Sequence, residues 1–213
     1  MSERTLFPNR NEIYPDLAVA VLAGGQARRF GADKALVQLG PNGTTILART
    51  AGIAGSLSDM VAIVGHERYA DLDLGVSILE DDDPGSGPLG GIATAMRKLD
   101  RPRLLVLASD MPCLSRPLLR WMIEQPLTAD VLIPRTDDGR WQPLHAIYRR
   151  TALPVIQRCL STGSGAVRSI LPLLNVEEIA ETALRRIDPE LNSLFSLNRP
   201  EDLERARRCV VGR

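Results

Sequence analysis

Residues 17–34 read LAVAVLAGGQARRFGADK. The stretch opens on a short apolar run of β type, Ala18 to Leu22, and breaks at Gly24-Gly25. An apolar run without polar alternation, closed by glycine, predicts a strand buried on both faces. Outward from it the chain repeats the theme. Asp59 to Gly65, Val76 to Leu79, Arg103 to Ala108, Val131 to Pro134 and Leu144 to Tyr148 read as further strands. Between them, Thr44 to Leu57, Leu89 to Leu99, Pro117 to Glu124, Leu153 to Leu160, Val167 to Leu174 and Glu201 to Arg208 read as helices. Gly87-Pro88 stands at the start of the second helix, where proline is tolerated. Glu177 to Ile187 has helical propensity but could also hold a strand. Strands alternating with helices predict one α/β domain over residues 18–208, with a mostly parallel sheet covered on both faces. Residues 1–17 are expected to form an N-terminal arm. In such folds ligands bind beyond the carboxyl ends of the strands, so the loops that follow strands are where function is sought.

The composition narrows the classes. Lys+Arg and Asp+Glu both number 26 in 213 residues, so the formal net charge is zero. That excludes a globally basic nucleic-acid binder. The cancellation is between segments: residues 71–110 hold 8 acidic and 4 basic side chains, whereas residues 111–213 hold 12 and 15. No apolar stretch approaches the roughly 18 residues needed to span a membrane, and the first 16 residues hold no apolar core of a signal peptide. Of the 26 basic residues, 24 are Arg and only Lys34 and Lys98 are Lys, so each lysine is conspicuous. His66 and His145 are the only histidines, which argues against histidine metal sites and against Ser-His or Cys-His catalysis. Cys113, Cys159 and Cys209 are widely spaced and lack zinc-site spacing. They are expected to be small packing thiols of a cytoplasmic protein.

Three loops carry candidate chemistry. The first strand is followed by Leu22-Ala23-Gly24-Gly25 and then Arg28, Arg29, Gly31 and Lys34. Backbone N–H groups of a glycine turn, with added cations, suit a polyphosphate. The loop lacks the GxxxxGK[ST] and G-x-G-x-x-G patterns. The third strand runs into Glu80-Asp81, followed by Gly87-Pro88-Leu89-Gly90-Gly91, whose small residues would let a flat ring or a sugar approach the backbone. The fourth strand ends at Ser109-Asp110-Met111-Pro112. A lone carboxylate there is placed to hold Mg²⁺, which is satisfied by one or two carboxylates plus phosphate and water oxygens. Asp110 as a helix cap is the bland alternative.

LAGGQARRFGADKAL, residues 22–36, resembles the L-A-G-G-x-x-x-R-x-G-x-D-K signature of the molybdenum cofactor guanylyltransferases (MobA). The resemblance continues through ILED (78–81), GPLGGI (87–92), SDMP (109–112), QPLHAIY (142–148) and LNRPEDL (197–203), in the family's order. It implies a Rossmann-like nucleotidyltransferase domain that joins GMP from GTP to the phosphate of molybdopterin and releases pyrophosphate. It also implies that Leu22, Ala23, Gly24, Gly25, Lys34, Asp81, Pro88, Leu89, Gly90 and Asp110 line the nucleotide. Arg29, Lys34 and Asp110 would be catalytic, with Asp110 on Mg²⁺, and Gln142 and Asn198 would face the pterin. Molybdenum-insertion proteins and molybdoenzyme chaperones are the protein partners such an enzyme implies. Two departures stand out: Val64 where the family often keeps Asn near the guanine, and Ser196 to Glu201 in place of N-x-N-T-P-E. They leave open another base or acceptor, such as CTP with molybdopterin or a sugar phosphate. A non-catalytic nucleotide-binding accessory protein is the remaining alternative.

Overall fold

The computed structural model describes residues 13–24, 33–39, 43–65, 69–163 and 165–211. The strands are β1 (Leu17–Ala23), β2 (Gln38–Leu39), β3 (Thr44–Thr45), β4 (Met60–Gly65), β5 (Ser77–Glu80), β6 (Arg103–Ala108), β7 (Val131–Arg135), β8 (His145–Arg149) and β9 (Val176–Ala180). The helices are α1 (Ile46–Gly55), α2 (Gly87–Lys98), α3 (Arg116–Ile123), α4 (Leu153–Ser161), α5 (Val167–Ile170), α6 (Glu181–Leu184) and α7 (Asp202–Val211). Seven strands form one sheet in the order β5-β4-β1-β6-β8-β7-β9. β1 pairs in parallel with both β4 and β6 and is wholly buried. The stretch that opened the sequence is therefore the centre of the parallel half.

Alternation along β1 builds two cores. Leu17, Val19, Val21 and Ala23 face the cluster that takes Leu47, Ala51 and Ala54 of α1, Leu118, Leu119 and Met122 of α3, and Leu184 of α6. Ala18, Ala20 and Leu22 face the other side, with Ile92, Ala93 and Met96 of α2, Ile156 of α4 and Ile170 of α5. Helices thus cover both faces, as the sequence predicts. Local chemistry sets their starts: Thr45 caps α1 by accepting the Ala48 N–H at 3.1 Å, and Ser115 caps α3 by accepting that of Leu118 at 3.4 Å.

The structure adds to the expected elements in three places. β8 runs antiparallel to both β6 and β7. The connection over residues 136–144 is a hairpin-like return, too short for the helical crossover that parallel pairing needs. The ambiguous 177–187 segment holds both forms, β9 and then α6. A two-stranded hairpin, β2 with β3, stands between the Lys34 turn and α1. The arm is tied down at its carboxyl end. Tyr14 N–H donates to the Leu57 carbonyl at 2.8 Å, and Arg103 grips Asp16 through two bonds of 2.7 and 2.9 Å. That guanidinium holds the Asp16 carboxyl below its ordinary range.

The cysteines require a correction. Cys113 and Cys209 form a disulfide with their Cα atoms 5.8 Å apart, joining the loop after β6 to α7 across 96 residues. Only Cys159 is a free thiol, buried as expected. Wide spacing concealed the pairing because the topology, not the sequence, brings α7 back to β6.

Candidate functional site

The carboxyl ends of β1, β4, β5 and β6 lie side by side, and the candidate residues hang from them. Lys34 opens a short 3-10 turn, Lys34–Leu36. Asp33 caps the turn by accepting the Ala35 N–H at 3.1 Å, and Ala35 is buried in the core beneath. The Lys34 ammonium donates to Asn198 Oδ1 at 3.2 Å and lies 3.9 Å from Asp110 Oδ2. Asp110 stands two residues past β6. Burial pushes its carboxyl pKa up, and the charge of Lys34 pulls against that rise without overcoming it. The carboxylate thus offers a hard oxygen donor whose charge the protein leaves partly uncompensated.

Residues remote in sequence hold this loop. The Leu197 N–H donates to the Asp110 carbonyl at 2.8 Å, which brings the α7 approach, and with it Asn198, beside Lys34. Asp202 accepts the backbone N–H groups of Asn198 and Arg199, both at 2.8 Å, so the segment turns sharply there. Arg49 of α1 donates to the Pro112 carbonyl at 3.2 Å.

Asp81, at the end of β5, has a different setting. Its Oδ1 accepts the Thr94 hydroxyl and the Asp83 N–H, each at 3.0 Å. Thr94 is fully buried on α2, so Asp81 ties the strand end to the helix. The neighbouring acids are neutralised from the same helix: Lys98 reaches Asp82 at 2.6 Å and Arg97 reaches Asp83 at 2.7 Å. These cations hold the Asp82 carboxyl low.

The remaining expected residues divide by what they expose. The Leu22 and Ala23 side chains lie in the two cores, so only their backbone faces the loop. Gly24 is exposed, with open space where a Cβ would stand. Pro88 begins α2, and Leu89 is fully buried. Gly90 proves small for a packing reason: a Cβ there would come within 2.8 Å of the Asp83 carbonyl. Val64 is 2% exposed and belongs to the core beside Gly91, so its side chain does not face the loops. Gln142 lies in the return to β8, at the Asp110 end of the sheet, where Leu144 accepts the Ala108 N–H. Trp141 is held by Glu178 at the sheet edge through a 2.7 Å bond. Gly25, Arg28, Arg29 and His66 lie outside the described residues. His145 is fully buried, and neither ring nitrogen has a hydrogen-bond partner among the described residues. Burial lowers its pKa to about 4.

Three residues of this region escaped the sequence reading. Gly65 ends β4 where a Cβ would meet the Ala23 carbonyl at 2.2 Å, so only glycine lets the two strand ends close. Its place at the end of an apolar run was a readable signal. Asp33 before the Lys34 turn was readable as a cap. Tyr69 and its bond to Asp33 had no local signal.

Comparison with known proteins identifies the family. Residues 19–179 match the family model described as the MobA-like NTP transferase domain. The chain belongs to this family. Among curated relatives of this MobA-like chain, a probable molybdenum cofactor guanylyltransferase of Chloroflexus aggregans is 34% identical over 187 residues, covering 86% of this chain and 90% of its own. A protein of the same description from Methanothermobacter thermautotrophicus is 36% identical over 195 residues, covering 87% and 96%. The crystal structure of molybdopterin-guanine dinucleotide biosynthesis protein A from Archaeoglobus fulgidus superposes with a TM-score of 0.78 at 28% identity, over 92% of this chain and all (100%) of that one. A cytidylyltransferase of Thermus thermophilus, acting on 2-C-methyl-D-erythritol 4-phosphate, shares the fold at a TM-score of 0.68 and 19% identity, over 91% and 98%.

Proposed function

We infer that this chain transfers GMP from GTP to the phosphate of molybdopterin, releasing pyrophosphate and leaving the guanine dinucleotide form of the cofactor. The observation that carries the reading is the meeting of Lys34, Asp110 and Asn198 at the carboxyl end of the parallel strands of a MobA-like chain. An oxygen of the pterin phosphate forms a bond to the α-phosphorus of GTP. The bond from that phosphorus to the pyrophosphate oxygen breaks, and its electron pair departs with pyrophosphate. A phosphate monoester is already ionised near neutral pH, so the step needs no general base. His145 fits that economy, since it sits in the core. Positioning and charge neutralisation supply the acceleration.

Each residue then has a role. The backbone of Leu22 to Gly25 and of Pro88 to Gly90 lines the nucleotide. Asp81 shapes that pocket by fixing the start of the loop before α2. Lys34, with Arg29 from the same loop, stabilises the departing pyrophosphate. Gln142 and Asn198 face the pterin. Asp110 fits Mg²⁺, because it offers an oxygen donor whose charge Lys34 only partly offsets. No group of three or more His, Cys, Asp or Glu among the described residues is arranged to hold a metal, so one carboxylate would share the ion with phosphate oxygens and water. Bound there, Mg²⁺ supplies charge neutralisation on the phosphates. No helix among the described residues is long and apolar enough to cross a membrane. The reading implies a cytoplasmic enzyme, with molybdenum-insertion proteins and molybdoenzyme chaperones as its protein partners.

The deciding experiment mixes the pure protein with Mg²⁺, molybdopterin and GTP, CTP or ATP in turn, and follows pyrophosphate release. Turnover with GTP alone is expected. Turnover with CTP or ATP instead of GTP overturns the choice of base. Nucleotide binding without turnover, on an acceptor that a known guanylyltransferase consumes, makes the chain an accessory protein.

A further inference from the structure

We propose that Tyr69 is a positioning residue for transfer, acting through Asp33 to fix Lys34; the proposal rests on the role given to Lys34 above. Tyr69 lies beyond the carboxyl end of β4, in a segment separate from the glycine loop. Its ring is 1% exposed and packs in the core with Ala35. Its hydroxyl donates to Asp33 Oδ2 at 2.8 Å. The other oxygen of the same carboxylate accepts the Ala35 N–H at 3.1 Å. Asp33 is therefore held at both oxygens, one by the turn that it caps and one by a side chain anchored in the core.

The turn needs that anchor. It is three residues long, with one N–H satisfied by the cap, and short 3-10 turns have little stability of their own. Lys34 is the first residue after Asp33, so any rotation of the cap moves its Cα. Its ammonium stands 3.2 Å from Asn198 Oδ1 and 3.9 Å from Asp110 Oδ2, so the position of the turn sets where that charge is held. A buried ring does not shift with solvent, so a hydroxyl carried on it is a fixed point from which the turn is set. Bonds between a hydroxyl and a carboxylate are stronger than neutral ones, which suits a restraint that must outlast phosphate binding.

Tyr69→Phe keeps the ring and removes the hydroxyl. It is expected to lower kcat about tenfold while KM for GTP changes less than about threefold, because the restraint matters most where charge develops on the departing phosphate. In an Asp33→Ala background the same substitution is expected to add nothing, since the link is already cut. Full additivity of the two overturns the proposal and leaves Tyr69 a packing residue. A chain with only two lysines permits a second readout that needs no turnover. With 13C at lysine Cε, Tyr69→Phe is expected to move the Lys34 resonance toward that of a solvated lysine and to leave Lys98 in place. An unmoved Lys34 signal overturns the proposal. Should Tyr69→Phe fail to fold, Asp33→Ala gives the same Lys34 resonance test from the turn side. Absence of GTP-dependent transfer in the unaltered protein would instead sink the guanylyltransferase reading, and the lysine spectra decide the Tyr69 proposal in that case too.

Discussion

Two aspartates follow β5 and β6, the strands at either side of the parallel half, and they are held in opposite ways. Asp81, after β5, is bonded within its own neighbourhood: Thr94 and Asp83 occupy its Oδ1, and Arg97 and Lys98 neutralise the acids beside it. Asp110, after β6, has Lys34 at 3.9 Å and a carboxyl pushed up by burial. Its loop is fixed by distant parts of the chain: Arg49, Leu197 and the disulfide to Cys209. The two lysines divide likewise, Lys98 onto the acidic cluster and Lys34 into the site. The difference teaches which acid is spent on structure. A carboxylate whose Oδ1 already accepts two of the protein's own donors has less left for a ligand, whereas one half-buried with partial compensation favours an incoming cation.

The sharpest break of this contrast is at the site itself. Lys34→Ala and Asp110→Ala are each expected to lower kcat by about a thousandfold or more with folding retained, measured by pyrophosphate release and circular dichroism. Near-normal turnover in either removes that residue from the chemistry. Asp110→Asn carries a second expectation. A carboxyl whose folded pKa is raised destabilises the fold once pH exceeds its unfolded pKa, so neutralising it should raise Tm at pH 7 by about 1–3 °C. A lower Tm would mean that the site is not strained by Asp110.

The next effect tests whether the Asp110 loop depends on remote anchors. Cys209→Ser removes a crosslink spanning 96 residues and is expected to cost about 4 kcal/mol in urea denaturation. An unchanged midpoint under oxidising conditions would show that packing of α7 alone secures the loop. Below the loop lies His145, opposite Leu107 in the β6–β8 register. Its folded pKa of about 4 lies below the usual value of 6.5. The unfolded chain therefore binds the proton that the fold refuses, and stability falls as pH drops from about 6.5 towards 4. The loss approaches about 3 kcal/mol by pH 4, by the free energy of a shift of this size. His145→Leu is expected to flatten that part of the stability profile, and a slope retained in the variant would reassign it to other groups.

The same division explains what could be read from the chain beforehand. The parallel half was legible because its strands are unbroken apolar runs, Ala18 to Leu22 and Asp59 to Gly65, separated by helical spacing. The Lys34 and Asp110 positions were legible because glycine, cation and carboxylate follow strands. Resemblance to a family supplied the order of the motifs. The antiparallel turn of β8 was not legible, since Leu144 to Tyr148 looks like any other strand and only its short return from β7 sets its direction. Nor were the Cys113–Cys209 link, the Leu197 bond to Asp110 or the Tyr69 bond to Asp33. Each joins residues that the fold alone brings together, and no local periodicity records it. Gly90 has a further reason for its smallness that local sequence did not record: a Cβ there would come within 2.8 Å of the Asp83 carbonyl.

The acidic cluster offers the mildest test of the contrast. Asp81→Ala leaves the buried Thr94 hydroxyl and the Asp83 N–H without their acceptor, and about 1–3 kcal/mol of stability should be lost. Turnover should fall less than about tenfold, because the carboxylate acts on the loop and not on the phosphates. Lys98→Ala removes an ion pair whose two side chains are each 37% exposed, and such pairs contribute about 0–1 kcal/mol. Its Tm and its kcat should both match the unaltered protein at physiological salt. A thousandfold loss of activity in Asp81→Ala, equal to that of Asp110→Ala, would place both acids on the ligand. The assignment of Asp81 to structure would then fail, although its Oδ1 is occupied within the protein, and Oδ2 would have to be the atom that reaches the nucleotide or its metal.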